Sequence, residues 1–418
     1  MRVLFTASNA RGHYYCMVPL GWALQAAGHE VRVACPPAES VHVGRAGLVP
    51  VPVLDGPDLN RWAMLTRYQE AVAGDGGPCG PPLHPFTGEP VADLAEFDIE
   101  RESARFMADC VTALERSFDA AVEFGRSWAP DLVVHDLMTP EGALVARLGG
   151  VPAVYHSLGL FGAAETEPGV DLGLEDPSES FARHGAEPWH RSQIEHVLDP
   201  SPESALPPHG SARRLAVRYI PYNGPGAVPD WLARRPRGGR ICLLWGYSAS
   251  IMYGLDVPTL RYAVEAAVAT GAEVVLTASP QQAGALGELP GSVRVLQGFP
   301  VHLLLEHSDL VIHHGGANSL MNAAAAGLPQ LALTLSADHV VFGRRMARTG
   351  AVEMLAGLTA GPGEIASALD RVLTDSRYRS AARRLGAEIA AHPTPHELVP
   401  VLEKLAGAGP GTRKAGRG

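Results

Sequence analysis

The sequence predicts an α/β protein made of two doubly wound, Rossmann-like parallel-sheet domains. Short apolar runs alternate with helical stretches in both halves of the chain, starting at residues 3–6 in the first half and at 240–245 in the second. Such alternation is typical of parallel sheets with helices on both faces. Seven prolines lie between Pro200 and Pro229, as expected where one domain ends and a linker begins.

The chain is long enough for two ordinary domains, each with its own core, since it has 418 residues of which 46% are hydrophobic. We expect an N-terminal domain over residues 1–230, a linker over 231–240 and a C-terminal domain over 241–407. Residues 408–418 are predicted to form a disordered tail.

Composition disfavours several classes of protein. No apolar run approaches the roughly 20 residues of a membrane span, and the chain begins with a strand-like run rather than a secretory signal. We therefore expect a cytoplasmic protein without a membrane span. The formal net charge of −10 argues against nucleic acid as the main partner. The five cysteines are scattered and form no Cys-x-x-Cys pair, so they predict neither a disulfide framework nor a zinc site.

The first elements predict the opening βαβ unit of a parallel sheet. A strand at 3–6, a helix at about 17–27 and a strand at 30–34 follow one another. A dinucleotide site needs three glycines in the loop after the first strand, and that loop contains only Gly12. It also needs an acid near the end of the second strand, where Cys35 stands. A nicotinamide-dependent dehydrogenase is therefore disfavoured.

The rest of the N-terminal domain mixes irregular and regular stretches. Residues 55–100 show no periodic pattern and include the glycine- and proline-rich segment 74–82, which predicts a long loop. The elements predicted after it are a helix over about 101–127, a strand over 130–136, a helix from Pro140 to Gly149, a strand over 151–155, and a loop with a short helix over 157–180.

The second half repeats the alternation of strands and helices. Its predicted elements are a strand over 240–245, a turn over 246–248, a helix over 260–269, strands over 273–277, 293–296, 310–312 and 330–335, and helices from 340 and from 363 onward.

Residues 313–319 predict an anion-binding turn between the strand at 310–312 and an alanine-rich helix. Gly315 and Gly316 let the backbone come close to a ligand, and Gly327 ends the helix. The first-turn amides of such a helix lack intrahelical partners and lie at the positive end of its dipole.

Side chains at this turn add further donors, because His314, Asn318 and Ser319 all lie within it. A diphosphate would fit such a site. The alternative is an ordinary strand-to-helix turn in which Asn318 or Ser319 acts as the helix N-cap.

Beyond this turn, the segments 295–300, 313–317 and 327–330 together resemble the donor-binding signature of nucleotide-sugar-dependent glycosyltransferases with the GT-B fold. The similarity is greatest to the actinomycete enzymes that attach deoxysugars to polyketide antibiotics, and segments 189–203 and 218–232 also resemble that subgroup. The family usually has Gly-Thr where this chain has Asn318 and Ser319. That pair instead resembles the Asn-Ser of plant glycosyltransferases, in which both residues contact phosphate.

The resemblance implies a GT-B architecture of two domains facing a central cleft, with the acceptor bound by the first domain. It assigns His13 as the general base, and the neighbouring Tyr14 and Tyr15 as acceptor contacts. Asp136 matches an aspartate that holds the histidine in plant relatives, and it could itself be the base if a carbon-linked product forms. The alternative is that Asp136 only caps the helix at Thr139 or bonds loop amides.

The resemblance also implies a donor site on the second domain that needs no metal and no other cofactor, which fits the lack of any Asp-x-Asp motif. In relatives, Asp338 and a following glutamine reach sugar hydroxyls, but this chain has a histidine after the aspartate. The implied donor-binding residues are Ser248, Phe299, Pro300, Val301, His314, Gly315, Gly316, Asn318, Ser319, Asp338 and His339.

These features predict an inverting glycosyltransferase that moves a deoxysugar from a nucleotide donor, as in the thymidine-diphosphate-dependent relatives, to a polyketide-type aglycone, through oxygen or carbon. Two alternatives are a nucleotide-sugar epimerase on the same fold and a non-catalytic binding partner of another transferase. Some relatives require a separate activating protein, and a homodimer is also compatible with the sequence.

Overall fold

The structure is a computed structural model. It describes residues 1–74, 82–89, 91, 93–168, 170, 176–246, 249, 253–255 and 257–407. Ser248, most of the glycine- and proline-rich segment 74–82 and the predicted tail 408–418 lie outside the described residues.

Within the described residues, the first half of the chain forms a sheet of seven strands in the order β3-β2-β1-β4-β5-β6-β7, and every pair is parallel. The strands are β1 (Arg2–Thr6), β2 (Glu30–Ala34), β3 (Val49–Val51), β4 (Leu132–His135), β5 (Ala153–His156), β6 (His196–Asp199) and β7 (Arg213–Ala216). Thr6 at the end of β1 pairs with His135 at the end of β4. The loops that follow these two strands therefore meet at one edge of the sheet.

Helices connect these strands and continue to the end of the first half. They are α1 (Arg11–Tyr14), α2 (Val18–Ala26), α3 (Ser40–Arg45), α4 (Leu59–Val72), α5 (Ile99–Trp128), α6 (Pro140–Gly149), α7 (Ser180–Arg183) and α8 (Asp230–Ala233). Short 3-10 segments occupy Tyr15–Met17, Pro37–Glu39, Leu94–Glu96, Arg191–Gln193 and Glu203–Ala205.

The second half forms a six-stranded parallel sheet among the residues described, in the order β10-β9-β8-β11-β12-β13. Its strands are β8 (Arg240–Leu244), β9 (Glu273–Thr277), β10 (Val293–Leu296), β11 (Leu310–His313), β12 (Gln330–Thr334) and β13 (Val352–Ala356). Its helices are α9 (Pro258–Ala269), α10 (Pro280–Ala285), α11 (Val301–Leu305), α12 (Ala317–Ala325), α13 (Ala337–Ala347), α14 (Pro362–Thr374), α15 (Ser376–Ala391) and α16 (Pro395–Gly407). No helix in the described ranges combines the length and apolar character needed to cross a membrane.

The predicted loop over residues 55–100 is wrong in part, because α4 lies within it. Asp58 caps this helix, since its carboxylate accepts bonds from the amides of Asn60 and Arg61, each at 3.1 Å. The helix buries little surface, and Leu65 and Tyr68 pack with Phe106 of α5 in a small separate cluster. An amphipathic stripe this weak gives no clear helical period in the sequence.

The two halves share a hydrophobic core. Leu160 and Phe161 of the first half belong to the same buried cluster as Phe342 and Met346 of α13, and the rings of Phe161 and Phe342 lie 6.5 Å apart. Arg345 adds a buried ion pair across the interface, with its guanidinium nitrogens 2.7 and 2.9 Å from the two carboxylate oxygens of Glu165.

The last described helix returns to the first half. Leu398, Val399 and Leu402 of α16 are buried in the same cluster as Val3 and Leu20 of the N-terminal sheet. The last described helix therefore crosses from the second half back to the first. The sequence of α16 places it in the C-terminal domain, whereas its apolar side chains complete the N-terminal core.

Candidate active site

The loop after β1 and the loop after β4 meet at the carboxyl edge of the first sheet. His13 lies on α1, whose first turn is closed by a bond from the His13 amide to the Ala10 carbonyl at 2.8 Å. Asp136 directly follows β4, and its amide donates to the Thr6 carbonyl at 3.2 Å. The parallel pairing of β1 and β4 thus brings the histidine and the aspartate to one place.

Both carboxylate oxygens of Asp136 accept hydrogen bonds from residues of the loops that follow β1 and β4. Oδ2 accepts from the Ser8 amide at 2.7 Å, and Oδ1 accepts from the Met138 amide at 2.8 Å and the Thr139 hydroxyl at 3.0 Å. The residue is 1% exposed. This is the loop-binding arrangement given as the alternative for Asp136, and it fixes the carboxylate rigidly beside α1.

His13 is half-buried, and its buried Nδ1 has no partner among the described residues, so the bond from Asp136 to His13 that the resemblance implies is not formed here. Burial lowers the pKa of His13, while the negative charges of Asp136 and Asp338 partly oppose that effect. His13 is consequently neutral near pH 7, and a neutral imidazole can accept a proton.

The two tyrosines after His13 have other surroundings. Tyr14 is 3% exposed in the N-terminal core, and its hydroxyl donates to Glu39 Oε2 at 2.6 Å. Tyr15 packs edge-on against Tyr222, with ring centroids 5.0 Å apart. The structure thus places Tyr14 in the core and Tyr15 against the segment that leads to the second half.

On the second sheet, His313 holds the glycine turn in place. Its Nδ1 accepts a bond from the Gly315 amide at 3.0 Å, and its Nε2 donates to Gln330 Oε1 at 2.9 Å. Burial lowers the pKa of His313 to about 4, so the ring stays neutral. Sequence reasoning missed this structural role of His313, because its partner on β12 becomes adjacent only after the strands pair.

The ring of His314 lies between two glycines. A Cβ on Gly246 would come within 2.7 Å of His314 Cε1, and a Cβ on Gly316 within 2.8 Å of His314 Nε2. Burial, with smaller contributions from His339 and His313, lowers the pKa of His314 to about 3. The ring therefore acts as a neutral group, and its close approach to backbone explains why glycine occupies both positions.

The N-terminus of α12 has no side-chain cap. Gly316 is the N-cap residue, with φ −62° and ψ 144°, so the alternative that Asn318 or Ser319 caps this helix is wrong. Asn318 instead reaches across to the first half, where its Nδ2 donates to the Gly12 carbonyl at 2.6 Å. The first-turn amides of α12 thus lack a side-chain acceptor and remain suited to an anion.

Asp338 and His339 begin α13 beside this turn. The Ser336 hydroxyl bonds Asp338 Oδ1, and His339 Nε2 lies 4.0 Å from Asp338 Oδ2. The rings of His339 and His314 are 5.0 Å apart. Since the charge of Asp338 also acts on His13, residues from both halves converge on one site.

The segment after β10 packs against the body of the second half. Phe299 and Val301 are partly buried against a core cluster that includes Leu304 and Leu305 of α11. A Cβ on Gly226 would lie 2.5 Å from Pro300 Cγ, so the end of the first half closes over this segment. Two of the predicted donor-binding residues, Phe299 and Val301, thus have core contacts as well.

Two parallel-sheet domains, with a glycine turn before an uncapped helix on one and a neutral histidine on the other, fit the class of GT-B glycosyltransferases. The chain belongs to the Erythromycin biosynthesis protein CIII-like family, whose N-terminal domain matches residues 22–246 and whose C-terminal domain matches residues 261–405. It is accordingly a glycosyltransferase.

Characterised relatives align with nearly the whole chain. The tylactone mycaminosyltransferase of Streptomyces fradiae is 33% identical over 97% of this chain and 92% of its own length. The aklavinone 7-beta-L-rhodosaminyltransferase of Streptomyces galilaeus is 31% identical over 97% and 96%. The crystal structure of the glycosyltransferase VinC in complex with dTDP superposes with a TM-score of 0.73 at 28% identity, covering 97% of this chain and 99% of that one.

Proposed function

We propose that this chain moves a deoxysugar from a thymidine-diphosphate donor to a polyketide-type aglycone, with inversion at the sugar carbon. The N-terminal domain, residues 1–230, binds the aglycone, and the C-terminal domain, residues 241–407, binds the donor. The names of the relatives support the deoxysugar and the aglycone, and the dTDP complex of VinC supports the nucleotide.

The observation that carries this proposal is the contact between the second half and the turn that bears His13, where Asn318 Nδ2 donates to the Gly12 carbonyl at 2.6 Å. Asp136 of the first half and Asp338 of the second both raise the pKa of a ring whose burial lowers it. A base in this position is close to both the proposed acceptor site of the first domain and the proposed donor site of the second. Proton transfer by a positioned side chain contributes about 10²- to 10⁴-fold to a rate.

The reaction is a single displacement. The acceptor nucleophile attacks the anomeric carbon of the sugar, a new bond forms there, and the bond from that carbon to the phosphate oxygen breaks. A ring nitrogen of His13 takes the acceptor proton, while Asp136 stabilises the resulting imidazolium. The electron pair leaves with the diphosphate.

The second half stabilises the departing diphosphate. The Gly316 amide and the first turn of α12 supply donors, Gly315 lets the backbone come close, and His314, Asn318 and Ser319 are side-chain contacts. Asp338 and His339 face the sugar, and Phe299, Pro300 and Val301 flank the nucleobase. Because the pKa of His314 is about 3, it contributes a hydrogen bond rather than a positive charge in the absence of the donor.

The test measures product masses after purified protein is given aromatic and macrolide polyketide aglycones with thymidine-diphosphate deoxysugars. We expect a mass gain of one deoxysugar, which His13→Ala lowers by about 10²-fold or more. His42→Ala, which removes a histidine from α3, serves as the matched control and leaves transfer unchanged.

The acid stability of the product decides between the two linkages. An acid-labile product that is lost in His13→Ala supports an oxygen-linked mechanism with His13 as the base. A product that survives acid hydrolysis and is lost in Asp136→Asn moves the base role to Asp136. Absence of both transfer and dTDP binding would overturn the proposal, whereas dTDP binding without transfer would indicate a missing activator or a non-catalytic partner.

A further inference from the structure

We infer that Asn318 is a positioning residue for His13, because it crosses from the donor-side domain and holds the helix that carries the base. Its Nδ2 donates to the Gly12 carbonyl at 2.6 Å, one residue before His13. This inference rests on the proposed function, in which His13 is the base, and it adds a role for Asn318 that does not involve phosphate.

The glycine at position 12 supports this contact independently. Gly12 lies within α1 and is absent from the positions with positive φ, so its backbone conformation is one that any residue adopts. A Cβ there would lie 2.7 Å from Asn318 Nδ2. Glycine is therefore required by the close approach of Asn318 rather than by the shape of the helix.

Asn318 is itself anchored from the next turn of α12. Asn322 donates from Nδ2 to the Asn318 carbonyl at 2.7 Å and to the Tyr219 hydroxyl at 3.0 Å, and Asn322 is 2% exposed. Tyr219 is 6% exposed and lies just beyond the last strand of the first sheet. The start of α12 is thus bound to the first half at two successive turns.

Tyr14 anchors the end of α1, because its side chain is buried in the N-terminal core and its hydroxyl donates to Glu39 Oε2 at 2.6 Å. Nearer the base, the His13 amide bonds the Ala10 carbonyl at 2.8 Å, and the Cys16 thiol bonds the His13 carbonyl at 3.1 Å. The bond from Asn318 to the Gly12 carbonyl adds a restraint from the second half directly before His13. Loss of that bond would let α1 move and water reach the ring.

The pKa of His13 reports this movement without any substrate. The charged and titratable groups that face it are Asp136 from the end of β4, Asp338 from the start of α13 and the Cys16 thiol. Both aspartates raise the pKa of His13 and burial lowers it more, so hydration of the ring moves its pKa upward, toward its ordinary value.

The first experiment is an NMR titration of the histidine rings in protein without nucleotide, with the His13 signal assigned from a His13→Gln variant. Asn318→Ala is expected to raise the pKa of His13, and Gly12→Ala, which pushes the amide away, is expected to do the same. Ser319→Ala is the matched control, since Ser319 lies in the same turn and shares the proposed phosphate contact. An unchanged His13 pKa in Asn318→Ala, or an equal shift in Ser319→Ala, overturns the inference.

The second experiment measures kcat at saturating donor and acceptor, with the pair found by the product screen. Asn318→Ala is expected to lower kcat about tenfold more than Ser319→Ala does, because misplacement of the base affects the chemical step. Asn318→Asp should be at least as damaging, although a carboxylate in the first turn favours helix stability. An active Asn318→Asp variant would mean that the residue only stabilises α12.

A double variant tests whether the two residues act through one contact. Gly12→Ala and Asn318→Ala should be non-additive, since the alanine at position 12 has room once the amide is gone. Additive losses in kcat would contradict a shared contact. If the wild type neither transfers sugar nor binds dTDP, the proposed function fails, while the NMR titration still decides the role of Asn318.

Discussion

Three influences act on the pKa of His13: burial lowers it, and the negative charges of Asp136 and Asp338 raise it. Burial lowers its pKa most, so the ring remains neutral to a pH below about 6.5, the ordinary value. A base must be neutral to act, and activity should therefore persist on the acid side of 6.5. We expect the acid limb of the kcat/KM profile to have an apparent pKa under about 6.5.

Removal of either carboxylate charge should shift the acid limb of the kcat/KM profile to lower pH, because both charges raise the pKa of His13. Asp136→Asn and Asp338→Asn each test one of them. Asp119→Asn, on the surface of α5, is the control and should leave the limb in place. A limb at or above about 6.5 in the wild type would contradict a buried base.

Glu141 is a buried carboxyl near the same edge of the sheet. Its Oε1 accepts from the Ser117 hydroxyl at 2.7 Å, its Oε2 has no partner among the described residues, and burial raises its pKa to about 7. A raised folded-state pKa means that its contribution to stability is complete below the unfolded value near 4.5 and is lost as the pH rises through about 7.

We therefore expect Glu141→Gln to flatten the pH dependence of stability. The wild type should lose about 3 kcal/mol through this group between pH 4.5 and 7.5, and the variant should not. Denaturant unfolding at several pH values measures the slope of the free energy of unfolding against pH. A pH-independent loss of stability caused by the glutamine amide would not change that slope. Equal slopes in the two proteins would rule out a titrating Glu141.

At the scale of single elements, the glycine turn before α12 depends on space around His314. Gly316→Ala should displace that ring, because the added Cβ would lie 2.8 Å from Nε2. We expect dTDP affinity to fall about tenfold, and stability to fall by about 1–3 kcal/mol from overpacking. Calorimetric titration with dTDP and denaturant unfolding measure the two effects.

Gly361 offers a matched control for that variant. It is also an extended N-cap glycine, at the start of α14, but a Cβ there meets nothing within 4 Å. Gly361→Ala shares the loss of a favourable N-cap residue and should leave dTDP affinity unchanged. A similar loss of affinity in both variants would show that the effect is one of helix capping.

The elements that the sequence predicts well are those with a strong local pattern. Strands β1, β4, β8 and β11 are short apolar runs, α5 has a strong apolar period, and α6 begins at Pro140 and ends before Gly150. Helix α4 and the strands β3, β6 and β7 were not predicted, because few of their side chains are buried or their runs are only three or four residues long. Such elements are determined by tertiary packing.

The candidate site also combines features that a local sequence pattern predicts with features that only tertiary packing determines. The glycine turn and the histidine after β1 are visible as sequence motifs. The bonds from Asn318 to Gly12 and from His313 to Gln330 join residues that only the folded chain brings together. For Asp136, the sequence left bonding to loop amides open as an alternative, and only the folded structure identifies the Ser8 and Met138 amides as its partners.

For the whole molecule, the buried pair of Arg345 and Glu165 makes the two halves depend on each other. Arg345 is 7% exposed and Glu165 4% exposed. Arg345→Met leaves a buried carboxylate without its partner and should cost about 3–5 kcal/mol. Because the halves share a core, we expect calorimetry to show one unfolding transition that moves to lower temperature.

The pair of Arg371 and Glu353 provides the contrast for this prediction. It lies within the second half, and the Arg371 side chain is 51% exposed. Arg371→Met should lower stability far less than Arg345→Met does, because solvent screens the exposed pair. Glu165→Gln combined with Arg345→Met should recover part of the loss, since no unpaired charge then remains buried. Separate transitions for the two halves would contradict a common core.

The position of α16 affects how the chain folds while it is being synthesised. The strands of the first sheet are complete once residue 216 has been synthesised, yet Leu398, Val399 and Leu402 fill part of that core. His29 also pairs with Glu403 of the same helix at 3.0 Å. During translation, the first half thus leaves the ribosome with an exposed apolar face. That face is covered only after the end of the second half has been synthesised. Chaperone protection of that face is the expected requirement during synthesis.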